Sequence, residues 1–274
     1  MLKLFSMTSL DKLREYASSS EEDSSSGLKT ISPENKRTKL PLPDVICSLS
    51  DPTNTEYNND PSKHQCRIRS FDHVKGNWAT FLYIPYPEEF SEELKINVFD
   101  LFQFSGIDGW NVVDSFHMSI SRTSAIPHHY IEPLVDAIKD SVRTFNTLDL
   151  MFSSKLKFYV NDEKTRSFCG FQISCPLLIT KLQYYVDRIN QPLKDYGCDG
   201  YYSNPSFHIS IAWTLGNIFD QNWKMLLHKF QIHWLEVFTN CPELFSFKAN
   251  CLACKCGNRL FKFEFLKMDS KTVY

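Results

Sequence analysis

No run of about 18 or more apolar residues occurs in the 274-residue chain, which excludes a membrane-spanning helix. The opening stretch, Met1 to Leu10, holds too short an apolar run for a secretory signal. Positive charge is not in excess either: 30 Lys and Arg against 32 Asp and Glu leave a formal net charge of −2. A polyanionic partner therefore has to be met by a local basic patch, because the molecule as a whole does not attract one. The nine cysteines are odd in number and follow no disulfide-framework spacing, which points to a reducing compartment. Cys251-x-x-Cys254-x-Cys256 has no second Cys or His pair beside it in sequence to complete a zinc site, so these residues are read as structural thiols. Missing too are the phosphate-cradling G-x-x-x-x-G-K-[ST] loop and the G-x-S-x-G nucleophile elbow, which sets P-loop and serine-hydrolase chemistry aside.

Against these absences, a hydrophobic content of 42% with 22 Phe supports a substantial core. That content is unevenly spread. Residues 1–63 are rich in Ser, Glu, Asp, Asn and Pro, and Ser18 to Ser26 is almost wholly polar. Such a composition does not bury enough apolar surface to fold alone, so a disordered polar tail over residues 1–63 and a domain over residues 64–274 are expected. Within the tail, Lys36-Arg37-Thr38-Lys39 before Leu40-Pro41 is a short basic cluster of the kind that addresses proteins to the nucleus.

Order is expected from near Cys66. Asn77 to Tyr86 reads as a strand, and Glu88 to Phe104 as an amphipathic helix through Phe90, Leu94, Val98, Leu101 and Phe102. Val112 to Ser121 reads as a second strand, and Tyr130 to Phe145 as a helix with Pro133 in its first turn. Leu148 to Val160, one long strand or two short ones, leads through a polar turn at Asn161 to Arg166 into a strand over Ser167 to Cys175. A helix then runs from Leu178 to Leu193 and is stopped by Gly197, followed by a strand from Ser206 to Thr214. Gln221 to Val237 looks helical, and the last strands are expected at Leu244 to Ala253 and Arg259 to Phe265.

One stretch is said almost twice. Ser115-Phe116-His117-Met118-Ser119-Ile120 and Ser206-Phe207-His208-Ile209-Ser210-Ile211 agree at five of six positions. Each closes a strand-helix-strand unit of nearly equal length, 39 positions from Trp78 to His117 and 40 from Phe168 to His208. Two such units argue for two structurally similar lobes related by a pseudo-twofold axis. Alternation along a strand sets His117 with Ser119 on one face, and His208 with Ser210 likewise, while Phe116, Met118, Ile120, Phe207, Ile209 and Ile211 face the core.

Two imidazoles and two hydroxyls in one cleft fit a particular chemistry. Imidazole passes protons near neutral pH, one ring accepting while the other donates. Hydroxyls donate hydrogen bonds to the non-bridging oxygens of a phosphoryl transition state. No carboxylate stands at ligand spacing from either histidine, so no metal and no cofactor is expected. Cleavage of an RNA phosphodiester by its own 2′-OH needs only a base, an acid and charge stabilisation; hydrolysis of a cyclic phosphate fits the same parts. A non-catalytic nucleotide-binding module is the third reading, and two intact H-x-S motifs argue against it.

These residues resemble the 2H phosphoesterase superfamily, with its two H-x-[ST] motifs on paired strands of a bilobal α+β fold. Arg67 to Phe71, Gly76 to Thr80, Tyr83-Ile84-Pro85-Tyr86, His128-His129, Glu163 to Arg166 and Tyr202 through Trp213 resemble, within it, the Usb-type U6 small nuclear RNA phosphodiesterases. The resemblance covers about Lys63 to the C-terminus. It implies an α+β fold of two lobes of antiparallel sheet with flanking helices, and a nuclear 3′-to-5′ exoribonuclease acting on the RNA 3′ end of U6 small nuclear RNA, in support of splicing; with the twofold internal to one chain, a monomer is expected. It also implies His117 and His208 as the catalytic pair, with His208 the base and His117 the acid, and Ser119 and Ser210 as phosphate-binding hydroxyls. Tyr202 would stack on a base, Ser206, Lys164 and Arg166 would contact substrate, and His128 and His129 would be helix-entry structure.

Overall fold

The computed structural model describes residues 74–106 and 108–267. The expected tail over residues 1–63, its basic cluster and the onset of order near Cys66 lie outside the described residues. The first unit is strand β1 (Asn77–Pro85), helix α1 (Glu88–Ser105), short strands β2 (Asn111–Val112), β3 (His117–Ser119) and β4 (Ser124–Pro127), then helix α2 (Ile131–Val142). The second is β5 (Leu148–Val160), β6 (Arg166–Ile173), α3 (Pro176–Asp195) and β7 (His208–Leu215). Helix α4 (Trp223–Asn240) and strands β8 (Ser246–Ala249), β9 (Cys251–Cys256) and β10 (Arg259–Glu264) complete the described chain.

The two units are punctuated alike. Glu88 and Glu89 sit in the first turn of α1, where carboxylates complement the helix dipole, and Pro176 opens α3, where its missing N–H costs no hydrogen bond. Both helices end on a left-handed glycine, Gly106 at φ 58° and Gly197 at φ 75°. Each carries an apolar stripe, Leu94, Val98 and Leu101 of α1 and Leu182, Val186 and Ile189 of α3, and all six are buried in the shared core. Among the described residues, no helix is long and apolar enough to cross a membrane.

The strands join in the order β10-β9-β1-β3-β7-β6-β5-β8, with β2 pairing β7 and β4 pairing β1 off that path. The central pair, β3 and β7, is antiparallel, and an antiparallel pair carries a local twofold axis across it. On either side the axis exchanges β1 with β6 and β9 with β5, so the strand that feeds each helix flanks each H-x-S strand. β8 and β9 stand toward opposite ends of this order, yet only Asn250 separates them in sequence, so the sheet curls until its ends approach. Phe265 N–H donates to Asn250 O at 2.7 Å and Thr147 N–H to Leu266 O at 3.0 Å, tying that closure.

Two expected strands are each split in the structure. Val112 to Ser121 breaks into β2 and β3 because seven residues, from Val112 to Met118, run beside only four on β7, from Ala212 to Ile209. The surplus at Asp114-Ser115 loops out, and this turns the Ser115 carbonyl back toward His117. Leu244 to Ala253 breaks into a 3₁₀ turn (Pro242–Phe245), β8 and β9. Its apolar content serves two partners, since β8 pairs β5 while β9 pairs β1. The 13-residue β5 stays one strand, with a bulge against β6 between Phe152 and Leu156.

Gly170 decides how closely β6 and β7 approach beside Ser210, its register partner. A Cβ at this position would lie 2.4 Å from the Ile209 carbonyl oxygen, a backbone atom held in the ladder. Gly170→Ala is therefore expected to destabilise the fold by about 1–3 kcal/mol, the usual cost of overpacking. A shift in the urea midpoint at unchanged m-value measures it.

Candidate active site

Met118 pairs with Ile209 across β3 and β7. One residue either way, the antiparallel register sets His117 against Ser210 and Ser119 against His208. Met118 and Ile209 are both fully buried, so alternation puts all four polar side chains on the opposite, accessible face. Within each strand the imidazole and hydroxyl stand about 7 Å apart. The repeat read in the sequence is thus one four-cornered site, built on two adjoining strands.

Each imidazole is held in the same way. His117 Nδ1 lies 2.9 Å from the Ser115 carbonyl oxygen, and His208 Nδ1 lies 2.6 Å from that of Ser206. A carbonyl can only accept, so Nδ1 carries the proton in both rings and a neutral ring keeps its lone pair on Nε2. The carbonyl two residues upstream therefore selects the tautomer.

The electrostatics separate the two rings. Burial pulls the His117 pKa below its ordinary value, against the Ser115 hydrogen bond that raises it, with Lys255 lowering it further. For His208 burial is again the leading cause and the Ser206 carbonyl opposes it; Lys157 and His117 add repulsion, and the pKa falls to about 4. At neutral pH His208 is an uncharged acceptor in a cleft edged by cationic Lys157 and Lys255.

His208 also has a neighbour of its own. The Tyr159 ring lies flat against it, with centroids 3.8 Å apart and planes 10° from parallel. Tyr159 Oη donates to Gln172 Oε1 at 3.2 Å and lies 3.2 Å from Ser206 Oγ, which donates to Gln172 Oε1 at 2.9 Å. Gln172 is the register partner of His208 on β6. On the other side, His117 meets Tyr83 at 4.9 Å with the planes inclined by 56°.

Tyr202 is 43% exposed, with the Arg122 guanidinium 4.4 Å over its ring. Asp162 joins both: it pairs with Arg122 Nη2 at 2.8 Å and accepts from Tyr202 Oη at 3.3 Å. Arg122 follows β3 and Asp162 lies in the β5–β6 turn, so this clasp links the two lobes beside a cavity of about 380 Å³ that Tyr202, Ser124 and Asp199 help to line. The neighbouring Tyr201 donates its hydroxyl to the Ser119 carbonyl at 2.9 Å, tying the Tyr202 segment to the first H-x-S strand.

The structure thus brings His117, Ser119, His208 and Ser210 together, and Tyr202 is tied to them through its neighbour Tyr201, which bonds the Ser119 carbonyl. Ser206 stands behind His208, its carbonyl on the ring and its hydroxyl on Gln172. Lys164 is exposed in the β5–β6 turn at a left-handed φ of 55°, and Arg166 opens β6 opposite Leu215, its guanidinium 5.7 Å over the Phe168 ring. His128 and His129 form a 3₁₀ turn leading into α2, with His128 packed 5.6 Å from Trp78. Cys254 and Cys256 are buried with sulfurs 3.7 Å apart, but Cys251 is an odd number of residues from both and faces the other side of β9. The three thiols do not converge on one point.

A family model described as HVSL, an uncharacterised conserved protein, matches residues 40–264. U6 snRNA phosphodiesterase 1 of Mus musculus is 33% identical over 225 residues, covering 81% of this chain and 82% of that protein. The protein of the same name in Xenopus laevis is 32% identical over 246 residues, covering 89% and 96%. The chain belongs to the U6 snRNA phosphodiesterase 1 family. Among solved structures, Kluyveromyces marxianus Usb1 is similar at 14% identity and a TM-score of 0.44, covering 70% of this chain and 99% of that one.

In this member of the U6 snRNA phosphodiesterase 1 family, sequence reasoning did not find Tyr159, Gln172, Lys157, Lys255, Arg122 or Asp162. For the β5 pair a signal existed: Lys157 and Tyr159 alternate with buried Leu156, Phe158 and so lie on the open face. That pattern names the face and not its neighbour on β7. Arg122 and Asp162 are 40 residues apart and meet only because the lobes do.

Proposed function

We propose that the protein is a metal-independent 3′-to-5′ exoribonuclease that trims the oligouridine tail of U6 small nuclear RNA and leaves a 2′,3′-cyclic phosphate. The names of its relatives support the choice of RNA. The observation that carries the chemistry is the matched anchoring of the two rings, each Nδ1 on a carbonyl and each H-x-S pair on one shared face.

In this reading His208 Nε2 takes the proton of the ribose 2′-OH as O2′ bonds to phosphorus. His117, protonated at Nε2, gives its proton to O5′ as the P–O5′ bond breaks. Ser119 and Ser210 donate to the non-bridging oxygens, where charge gathers. Lys157 and Lys255 favour an anion in the cleft, and Lys164 and Arg166 at the hairpin end contact phosphates further along the strand. Tyr202 stacks on a base with its far face backed by Arg122, an arrangement that tolerates any base. Ser206 acts from behind, through the His208 ring. One chain supplies both halves of the site, so the enzyme works as a monomer; the basic cluster at Lys36 to Lys39 directs it to the nucleus, where it supports splicing.

The test is incubation with 3′-uridylated RNA in excess EDTA, with end groups read by mass spectrometry. Shortened RNA ending in a cyclic phosphate is expected. Complete inhibition by EDTA removes metal independence, while rapid opening of supplied cyclic phosphates without shortening favours an RNA-end hydrolase. Binding without either reaction leaves a nucleotide-binding module.

A further inference from the structure

The two lobes repeat each other in sequence and pairing but do not treat their histidines alike. His208 lies flat on Tyr159, whereas His117 meets Tyr83 at an inclination of 56°. The Tyr159 phenol is fixed at its far end as well, between Ser206 Oγ and Gln172 Oε1 at 3.2 Å each. Ser206 therefore serves twice, with its hydroxyl in the group that holds Tyr159 and its carbonyl 2.6 Å from His208 Nδ1. Gln172 closes the arrangement from β6, opposite His208.

We propose that Tyr159 is a positioning residue for His208: its ring fixes the plane of the imidazole while the Ser206 carbonyl fixes the edge, so that Nε2 is presented to the cleft in one orientation. A single hydrogen bond at Nδ1 leaves the ring free to tilt about that contact. A parallel plate at van der Waals distance removes the tilt, and the Ser206 and Gln172 contacts keep the plate from sliding. Burial pushes the Tyr159 pKa up to about 12, so the phenol acts as a neutral hydrogen-bonded plate. The charged or titratable groups facing His208 are Lys157 and Tyr159 from β5 and His117 from β3; β6 contributes the neutral Gln172.

This inference rests on His208 being the proton acceptor, and its consequence is a split in kinetic constants. Misplacing a proton acceptor by about 1 Å costs up to roughly 10²-fold in rate. Tyr159→Leu is expected to lower kcat by about 10- to 10²-fold with KM within about twofold of wild type. Tyr159→Phe, which keeps the plate and loses the hydroxyl, is expected to recover most of that loss. Spectra of the imidazole ¹⁵N and ring C–H groups, recorded without RNA, are expected to show one sharp set of His208 signals in wild type and a set shifted and broadened by exchange between ring orientations in Tyr159→Leu, with the Nδ1–H tautomer kept by the Ser206 carbonyl. Gln172→Leu, which frees the phenol without emptying its place, is expected to move kcat and the His208 signals the same way by a smaller factor, and it carries the test if Tyr159→Leu does not fold.

Unchanged kcat in Tyr159→Leu, or a loss confined to KM, overturns the proposal; the second result makes Tyr159 a substrate platform instead. Unchanged His208 signals in both variants overturn it as well. If wild-type protein does not cleave RNA, the proposed function falls, and the substrate-free spectra still decide the role of Tyr159.

Discussion

His208→Ala and His117→Ala are each expected to lower kcat by about 10²–10⁴-fold, the range that positioned acid–base groups contribute. Single-turnover cleavage of 3′-uridylated RNA measures both. The double variant is expected to fall little further than the worse single one, because a base without its acid, or an acid without its base, leaves the same unassisted step. The pH profile should separate the rings. His208, with its pKa drawn down to about 4 by burial, is already an uncharged acceptor over most of the working range. Its titration belongs to the acid limb. His117 has to carry a proton, and burial lowers its pKa too, so its competent form is lost as pH rises. The alkaline limb of kcat/KM, which reports the free enzyme, should therefore turn down below the ordinary imidazole pKa of about 6.5. In kcat the same limb should lie higher, because a bound phosphate favours the imidazolium. His117→Ala should flatten the alkaline limb, and activity that keeps falling with pH in that variant would remove His117 from the acid role.

The parts of this molecule that were legible in the chain are those in which local pattern and long-range partner coincide. Alternation around Met118 and Ile209 marks buried strand centres, and the repeated hexapeptide marks two strands in equivalent settings. A pseudo-twofold axis between them is then the economical arrangement, and the pairing of Met118 with Ile209 is its outcome. The helices were legible for a similar reason: apolar stripes on α1 and α3 need only one buried side each. Val112 to Ser121 was not legible as two strands, because no local signal says that β7 offers four residues where this segment has seven. Leu244 to Ala253 was misread for the same cause, since its break is forced by partners at opposite ends of the curled sheet. Tyr159 belongs with these. Its outward face follows from alternation, but its contact with His208 depends on how β5, β6 and β7 curve together. Ser206 was expected as a substrate contact from the resemblance, and the structure shows its carbonyl on the imidazole of His208 and its hydroxyl on Gln172.

Replacing the 2′-OH beside the cleavable terminal linkage with hydrogen is expected to abolish cleavage, because it removes the nucleophile and leaves every protein contact in place. Well-oriented intramolecular nucleophiles reach effective molarities of about 10⁵–10⁸ M, which bulk water cannot match. The loss should therefore be on the order of 10³-fold at the least, even if a water molecule finds the vacated position. The substitution also separates two ways of using the same four corners. If the ribose is the nucleophile, His208 takes its proton from O2′, and the deoxy substrate should bind with an affinity close to that of the all-ribose RNA and remain uncut. Fluorescence anisotropy supplies the affinity, and the end-group analysis used for the uridylated RNA supplies the cleavage. If water is the nucleophile, the deoxy linkage should be removed at a rate within a few-fold of the ribose one and should yield an opened phosphate from the first turnover. Brisk release of the deoxynucleotide would thus overturn the cyclic-phosphate route while leaving the histidine pair in place as a hydrolytic acid and base. The position of the substitution matters, since a 2′-deoxy residue one linkage upstream should permit one turnover and block the next. That stop, one nucleotide short of the end, follows only from stepwise removal at the 3′ terminus; an endonuclease acting on the same linkages would cut on either side of it.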